Sequence, residues 1–166
     1  MPASTPEFTI DPIEFRNVLG SFPTGVTVVT SQDDAGNLYG VTASSFNSVS
    51  LDPPLILWSI GKASSSYSAM INAKYWNVHV LADDQEVISN TFAKSGGEKF
   101  AAVEYTDGVQ GAPVIAGCAA VMQCQIEHQY AGGDHVILVG RVLEFTDFGK
   151  QPLVFSRGRY ARLAQG

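Results

Sequence analysis

The stretch Tyr39-Gly40-Val41-Thr42-Ala43-Ser44-Ser45-Phe46-Asn47-Ser48-Val49-Ser50-Leu51-Asp52-Pro53-Pro54 opens as a strand and closes in a Pro-Pro stop. Thr42, Ser44, Ser45, Asn47, Ser48 and Ser50 alternate with or interrupt the apolar Val41, Ala43, Phe46, Val49 and Leu51. Short hydroxyl side chains let a ligand come close to the backbone. Together with backbone N–H groups they supply many donors in little space, which a polar ring edge or a phosphate requires. The same composition arises in a Ser-rich strand and loop whose hydroxyls satisfy only their own backbone.

On either side the chain reads as strands broken by turns. Upstream, Asp11-Pro12 opens a short helix with the stripe Phe15, Val18 and Leu19, ended by Gly20. The β-branched run Val26 to Thr30 pairs, through the turn at Asp33 to Asn37, with the central stretch as a hairpin. Downstream, Leu55 to Ile60 is an apolar run expected to be buried on both faces. Gly61 to Ser66 then leads into a helix to about Asn72, with Ser64 as its cap. Lys62 and the hydroxyls of Ser64, Ser65 and Ser66 at that helix start compose an anion site, although most Ser-capped helices bind nothing. Tyr75 to Leu81 alternates like a half-buried strand, with His79 expected at the surface or a barrel rim. Asp83 and Glu86 have capping-box spacing ahead of a helix bearing Val87, Ile88, Thr91 and Phe92. Gly108 to Gly117 reads as a loop. Met122 to Tyr130 alternates over nine residues, placing His128 on the apolar side. Ala131-Gly132-Gly133-Asp134 turns the chain into the long strand His135 to Phe145, where an Asp-His pair is most simply turn chemistry. Leu153 to Phe155 is the last strand, followed by a tail holding Arg157, Arg159 and Arg162.

With 166 residues, residues 1–10 are expected as a flexible arm and 11–166 as one domain. Only 16% of residues are charged, which suits a surface partly covered by a second copy, so a homodimer is expected. A net charge of −6 without any basic stripe argues against nucleic acid. No apolar run spans a bilayer and no signal-peptide pattern opens the chain, which points to the cytoplasm. Cys118 and Cys124, read as one strand, stand roughly 20 Å apart and are expected as free thiols. No metal-ligand spacing occurs, nor any Gly-x-Gly-x-x-Gly after a strand.

In order, the sequence resembles the short-chain NAD(P)H:flavin oxidoreductases. Thr42-Ala43-Ser44-Ser45-Phe46 with Ser48-Val49-Ser50-Leu51 and Pro53-Pro54 is similar to their flavin-binding segment. Lys62 with Ser64, Ser65 and Ser66 resembles their flavin phosphate contacts. Phe92-Ala93 with Lys99-Phe100 matches a segment lying over the pocket, and Gly133-Asp134-His135 matches their Gly-Asp-His hallmark. The resemblance runs from Phe15 to Tyr160 and implies a mainly β fold with a few short helices, the FMN-binding split β-barrel of Greek-key type. It further implies that Thr24, Thr42, Ala43, Ser44, Ser45, Asn47, Ser48, Ser59, Lys62, Ser64, Ser65, Ser66, Phe92, Lys99, Phe100, Gly133, Asp134 and Tyr160 bind cofactor, and that His135 is the catalytic residue beside the nicotinamide. Arg157 or Arg159 could pair with a pyrophosphate. Ser21 departs from the pattern, standing before Phe22-Pro23 where many relatives carry a basic residue, so no phosphate contact is expected there.

The activity implied is hydride transfer from NADH or NADPH to FMN or FAD, with the reduced flavin passing to a separate monooxygenase. A non-catalytic flavin store or sensor on the same barrel is the alternative. A pyridoxamine-phosphate-oxidase-like enzyme would call for more basic residues near the central stretch than this chain has.

Overall fold

The computed structural model describes residues 8–166. Residues 1–7 of the expected arm lie outside the described residues, and Phe8 to Ile10 carry no regular structure. Helix α1, Pro12–Leu19, starts as its sequence dictates. Asp11 Oδ1 accepts the N–H groups of Ile13 at 2.7 Å and Glu14 at 3.1 Å, Pro12 stands in the first turn, and Gly20 closes the helix. None of its residues is buried.

Then come β1 (Thr24–Gly25), β2 (Thr27–Gln32), β3 (Leu38–Ala43), β4 (Asn47–Leu51), β5 (Pro54–Gly61), α2 (Tyr67–Asn72), β6 (Tyr75–Val80) and α3 (Glu86–Ala93). A 3-10 turn at Lys99–Ala102 precedes β7 (Tyr105–Asp107), β8 (Pro113–Ile115), β9 (Ala120–Gly132), β10 (His135–Asp147), β11 (Val154–Ser156) and β12 (Arg159–Ala161). Seven strands make one antiparallel sheet in the order β3-β2-β6-β9-β10-β5-β4, while β1 joins the β11–β12 hairpin in a small second sheet. Among the described residues, no helix is long and apolar enough to cross a membrane.

The large sheet must curl. Its end strands β3 and β4 would lie roughly 29 Å apart if it were flat. Yet only Ser44, Ser45 and Phe46 join them, a link that spans at most about 14 Å. Inside the curl Ile56, Trp58, Ile60, Met70, Trp76, Val78, Cys124 and Leu138 pack as one buried cluster. The two indoles meet edge to face with centroids 5.9 Å apart. Outside, on β2 and β6, Val26, Val28, Leu81, Phe92, Ile115, Cys118 and Leu153 form a second cluster beneath α3 and the β8 segment.

The structure corrects several sequence expectations. His79 is fully buried, not at a rim, because the segment around β8 covers that face of β6. Its Nδ1–H donates to Val28 O at 2.9 Å, while Nε2 accepts the N–H of Ile115 at 3.0 Å. Strand β5 buries Ile56, Trp58 and Ile60 but leaves Leu55, Leu57 and Ser59 half-exposed, since none of the described residues covers its outer face. Neither proposed cap at the second and third helices forms. Helix α2 begins after Ser66, with Ser64 Oγ accepting the Ser66 N–H. Helix α3 begins after Gln85, whose Oε1 accepts the Ala82 N–H. A register shift in the β9–β10 pairing falls between Ile126 and His128, and His128 leaves the apolar alternation to stack on Tyr130 at the surface. The Gly108–Gly117 loop contains β8, and the C-terminal tail folds back as β11–β12. Cys118 precedes β9; both thiols are buried and free, and burial pushes them up to about 11 for Cys118 and about 12 for Cys124.

Candidate functional site

Part of the sequence-predicted set gathers at the seam between the two end strands. Ser45 Oγ accepts the N–H of Ser59 at 2.8 Å and donates to Ser59 O at 3.1 Å, so one hydroxyl ties the β3–β4 link to β5. Ser44, Ser45, Asn47 and Ser48 are exposed there, and Thr42 and Ala43 half-buried. Thr27, next to the seam on β2, donates its hydroxyl to Ala43 O at 2.6 Å. Three residues earlier, Thr24 Oγ1 is buried without a hydrogen-bond partner among the described residues. A buried hydroxyl in that state costs free energy unless a further group meets it.

Strand alternation puts Ser59 and Gly61 on the uncovered outer face of β5. Their β10 neighbours Ile137 and His135 lie directly opposite. Gly133, at φ +69°, makes the turn that returns β9 into β10. Asp134, just after it, accepts the Nδ1–H of His135 at 2.7 Å. That ring beside Asp134 holds its carboxyl below the usual carboxylate range, and an ionised carboxylate can only accept. The bond therefore fixes the proton on Nδ1 and leaves Nε2 of the neutral ring as an acceptor. A Cβ on Gly61 would stand 3.6 Å from Nε2, an ordinary contact distance, so the ring lies directly over the end of β5. Asp134 O accepts the Lys62 N–H at 2.9 Å, which brings the start of the Lys62–Ser66 segment to the same corner.

From that corner the hydroxyl run continues along the free edge of β3. Ser65 and Ser66 line a cavity of about 220 Å³ together with Tyr39, Gly40, Lys99 and Phe100. Lys99 Nζ donates to Gly40 O at 3.1 Å and to Phe92 O at 3.4 Å, and partial burial lowers its pKa. Phe92 has no exposed surface and meets Phe100 edge on at 5.0 Å, so it backs the cavity wall from behind. Tyr160 stands apart from the seam. Its hydroxyl joins Ser89 Oγ at 2.7 Å and Asn90 Oδ1 at 2.9 Å, and Ser89 O in turn accepts the Thr42 hydroxyl at 2.6 Å. Tyr160 thus reaches the central stretch through α3, not directly.

Sequence reasoning passed over Gly40, whose missing side chain makes room for Phe92. It occurs inside β3, where an unexplained glycine is the available signal of a close approach. Among the described residues, no group of three or more His, Cys, Asp or Glu could hold a metal ion.

Residues 19–164 match the family model described as the flavin reductase like domain. The chain is 44% identical over 150 residues to a probable flavin reductase of Rhizobium meliloti, covering 90% of this chain but 48% of that protein, so it spans about half the length of that relative. It is 43% identical over 151 residues to the FMN reductase (NADH) SmoA of Agrobacterium fabrum, covering 91% of this chain and 86% of that protein. It is 39% identical over 152 residues to the reductase subunit HsaB of a flavin-dependent monooxygenase from Rhodococcus jostii, covering 91% and 77%. Among solved structures, the NADH:FAD oxidoreductase SgcE6 of Streptomyces globisporus in complex with NAD and FAD fragments superposes with a TM-score of 0.88 at 39% identity, covering 95% of this chain and 98% of that one.

Proposed function

Since this chain belongs to the flavin reductase-like domain family, we propose that it transfers a hydride from NADH or NADPH to FMN or FAD and hands the reduced flavin to a separate monooxygenase. The observation that carries this reading is the open strand face on which the Ser45–Ser59 seam and the His135 ring stand side by side. The curled seven-stranded sheet is then a split β-barrel of Greek-key type, with residues 11–166 as its single domain.

The residues present suit a flavin. Hydroxyls of small bulk line the seam, Thr24 Oγ1 lacks a partner among the described residues, and no acidic side chain lies among Thr42 to Ser48 to repel an anionic tail. Thr24, Thr42, Ala43, Ser44, Ser45, Asn47, Ser48 and Ser59 would hold the ring system and its side chain, and Lys62 with Ser64, Ser65 and Ser66 the phosphate. Lys99 and Phe100 wall the pocket. When bound, the flavin supplies the electron chemistry, and the protein contributes position. Asp134 fixes the tautomer of His135, and Nε2 accepts a hydrogen bond from the nicotinamide amide, orienting that ring over the strand face.

A homodimer in the cytoplasm is part of this proposal. The outer face of β5 is half-exposed and apolar at Leu55 and Leu57. Seven large apolar side chains between Phe8 and Phe22, among them Ile13 at 70% and Phe22 at 75% exposure, likewise need cover.

The test is anaerobic mixing of the protein with FMN or FAD, then with NADH or NADPH, following the oxidised flavin absorbance. Bleaching over many turnovers is expected. Tight flavin binding with no bleaching by either nucleotide would replace the reductase reading with a store or sensor. Within the same assay His135→Ala should raise the KM for NADH about ten-fold and leave flavin affinity within about two-fold, one orienting hydrogen bond being worth roughly 1–1.5 kcal/mol. Equal loss of flavin affinity would remove His135 from the nicotinamide side.

A further inference from the structure

A second cavity adjoins the one at Ser65 and Ser66. It measures about 500 Å³, lies between α2, the β2–β3 turn and the residues before β8, and shares Tyr39 and Ser65 with its neighbour. We infer that this cavity is a nucleoside subsite that takes the adenosine end of FAD, so that FAD, not FMN, is the preferred flavin. The inference rests on the flavin site proposed above and deepens it.

Position comes first. The seam lies at the Ala43 end of β3 and both cavities begin at its Tyr39 end, about 14 Å of strand away. Between them runs the Lys62–Ser66 segment, whose hydroxyls and lysine suit phosphate. A ligand with its ring at the seam and its first phosphate at Ser64 to Ser66 ends there if it is FMN. If it is FAD, the next group enters the larger cavity, with Ser65 standing at the doorway.

The lining chemistry agrees. The half-buried rings of Tyr39 and Tyr75 offer apolar faces to a base, and Asn72 and Gln110 line the same cavity with amides that can bond its edge. Asp33 and Asp34 also line it, against the single cation Lys74. Asp33 is engaged by its own turn, accepting from the N–H groups of Ala35 and Asn37 and from the Asn37 side chain. Its carboxyl is held below the usual range by those bonds, the Asn37 side chain foremost. Asp34 has none of these partners and suits a ribose diol. Two carboxylates make the cavity poor for a phosphate but acceptable for an uncharged nucleoside. The charge order therefore matches a dinucleotide lying with its phosphates at the serines and its adenosine beyond them.

Fluorescence titration with FAD and FMN tests this without turnover. The wild-type protein is expected to bind FAD at least about ten-fold more tightly than FMN. Asn72→Trp, an exposed substitution at the end of α2, fills the cavity and should bring FAD to about the affinity of FMN while FMN is unchanged. Gln110→Gly relaxes a residue held at φ +53° and so keeps the fold. It should weaken FAD several-fold with no effect on FMN. Equal affinity of the wild type for the two flavins, or variants that weaken both or neither, would overturn the assignment. So would variants that leave both flavins alone but raise the KM for NADH at saturating FMN, which would give the cavity to the other dinucleotide. In each of those cases NADH-driven bleaching of FMN still stands, so failure of this inference is distinct from failure of the reductase reading.

Discussion

Gly140→Ala lowers the free energy of unfolding by about 2–3 kcal/mol, the cost of overpacking a closed core. A Cβ at Gly140 would stand 2.5 Å from Trp76 Cη2, 2.7 Å from Cζ2 and 3.1 Å from the Cys124 Cβ. The indole has nowhere to go, because Trp76 has no exposed surface and its ring is set edge-on against Trp58. The relief is equally specific. Trp76→Phe deletes the two indole atoms that the new methyl meets, so the double variant should lose at least about 1 kcal/mol less than the two single losses added together. Urea unfolding of the four proteins measures the cycle. Additive losses would mean that the methyl is accommodated by backbone movement, not by the ring.

The second large effect is in acid. Burial depresses His79 from 6.5 to about 4, the Val28 carbonyl opposing this only in part. Unfolded chains bind the proton near the ordinary value, so between these two limits the unfolded state holds more protons than the native one. Stability contributed by the neutral ring is whole above pH 6.5, falls as pH falls, and is gone near pH 4, a loss of about 3 kcal/mol. Protonation would also turn Nε2, which accepts the Ile115 N–H, into a donor facing a donor. His79→Gln removes the titrating ring, and the corresponding slope in the stability–pH curve should vanish between those limits. Identical acid slopes for the two proteins would refute the assignment.

The strands were legible in the sequence because their signals are local. The β-branched run before Asp33, the Gly-Asp turn before His135 and the Asp11-Pro12 helix start each fix backbone geometry within a few residues. What escaped depends on partners far away in the chain. His79 looks like a rim residue until the segment around β8, some 36 positions later, covers it and supplies the Ile115 amide. Asp83 has the spacing of a cap, but the Gln85 side chain reaches the Ala82 N–H first and the helix starts two residues later than that spacing implies. The register shift that turns His128 outward leaves no mark in its alternating stretch. For the candidate site, residue types and order were readable from the central stretch. That Phe92 stands behind the wall and Tyr160 reaches Thr42 only through Ser89 was not, since both follow from how α3 packs on β3.

The hydroxyl of Ser45 has a kinetic consequence. Every other neighbour in the seven-stranded sheet is held by a ladder of backbone bonds, and parting any two of them is a partial unfolding event of microseconds or longer. Among the described residues, the hydrogen bonds between the β3–β4 link and β5 come from one side chain on an exposed residue, with Ala43 and Phe46 packed on the core beneath it. Turning that side chain to another rotamer takes picoseconds to nanoseconds and leaves the rest of the sheet intact. On the proposed reading, in which reduced flavin must depart intact, a ring seated there is retained by a contact that breaks on the timescale of one rotamer change.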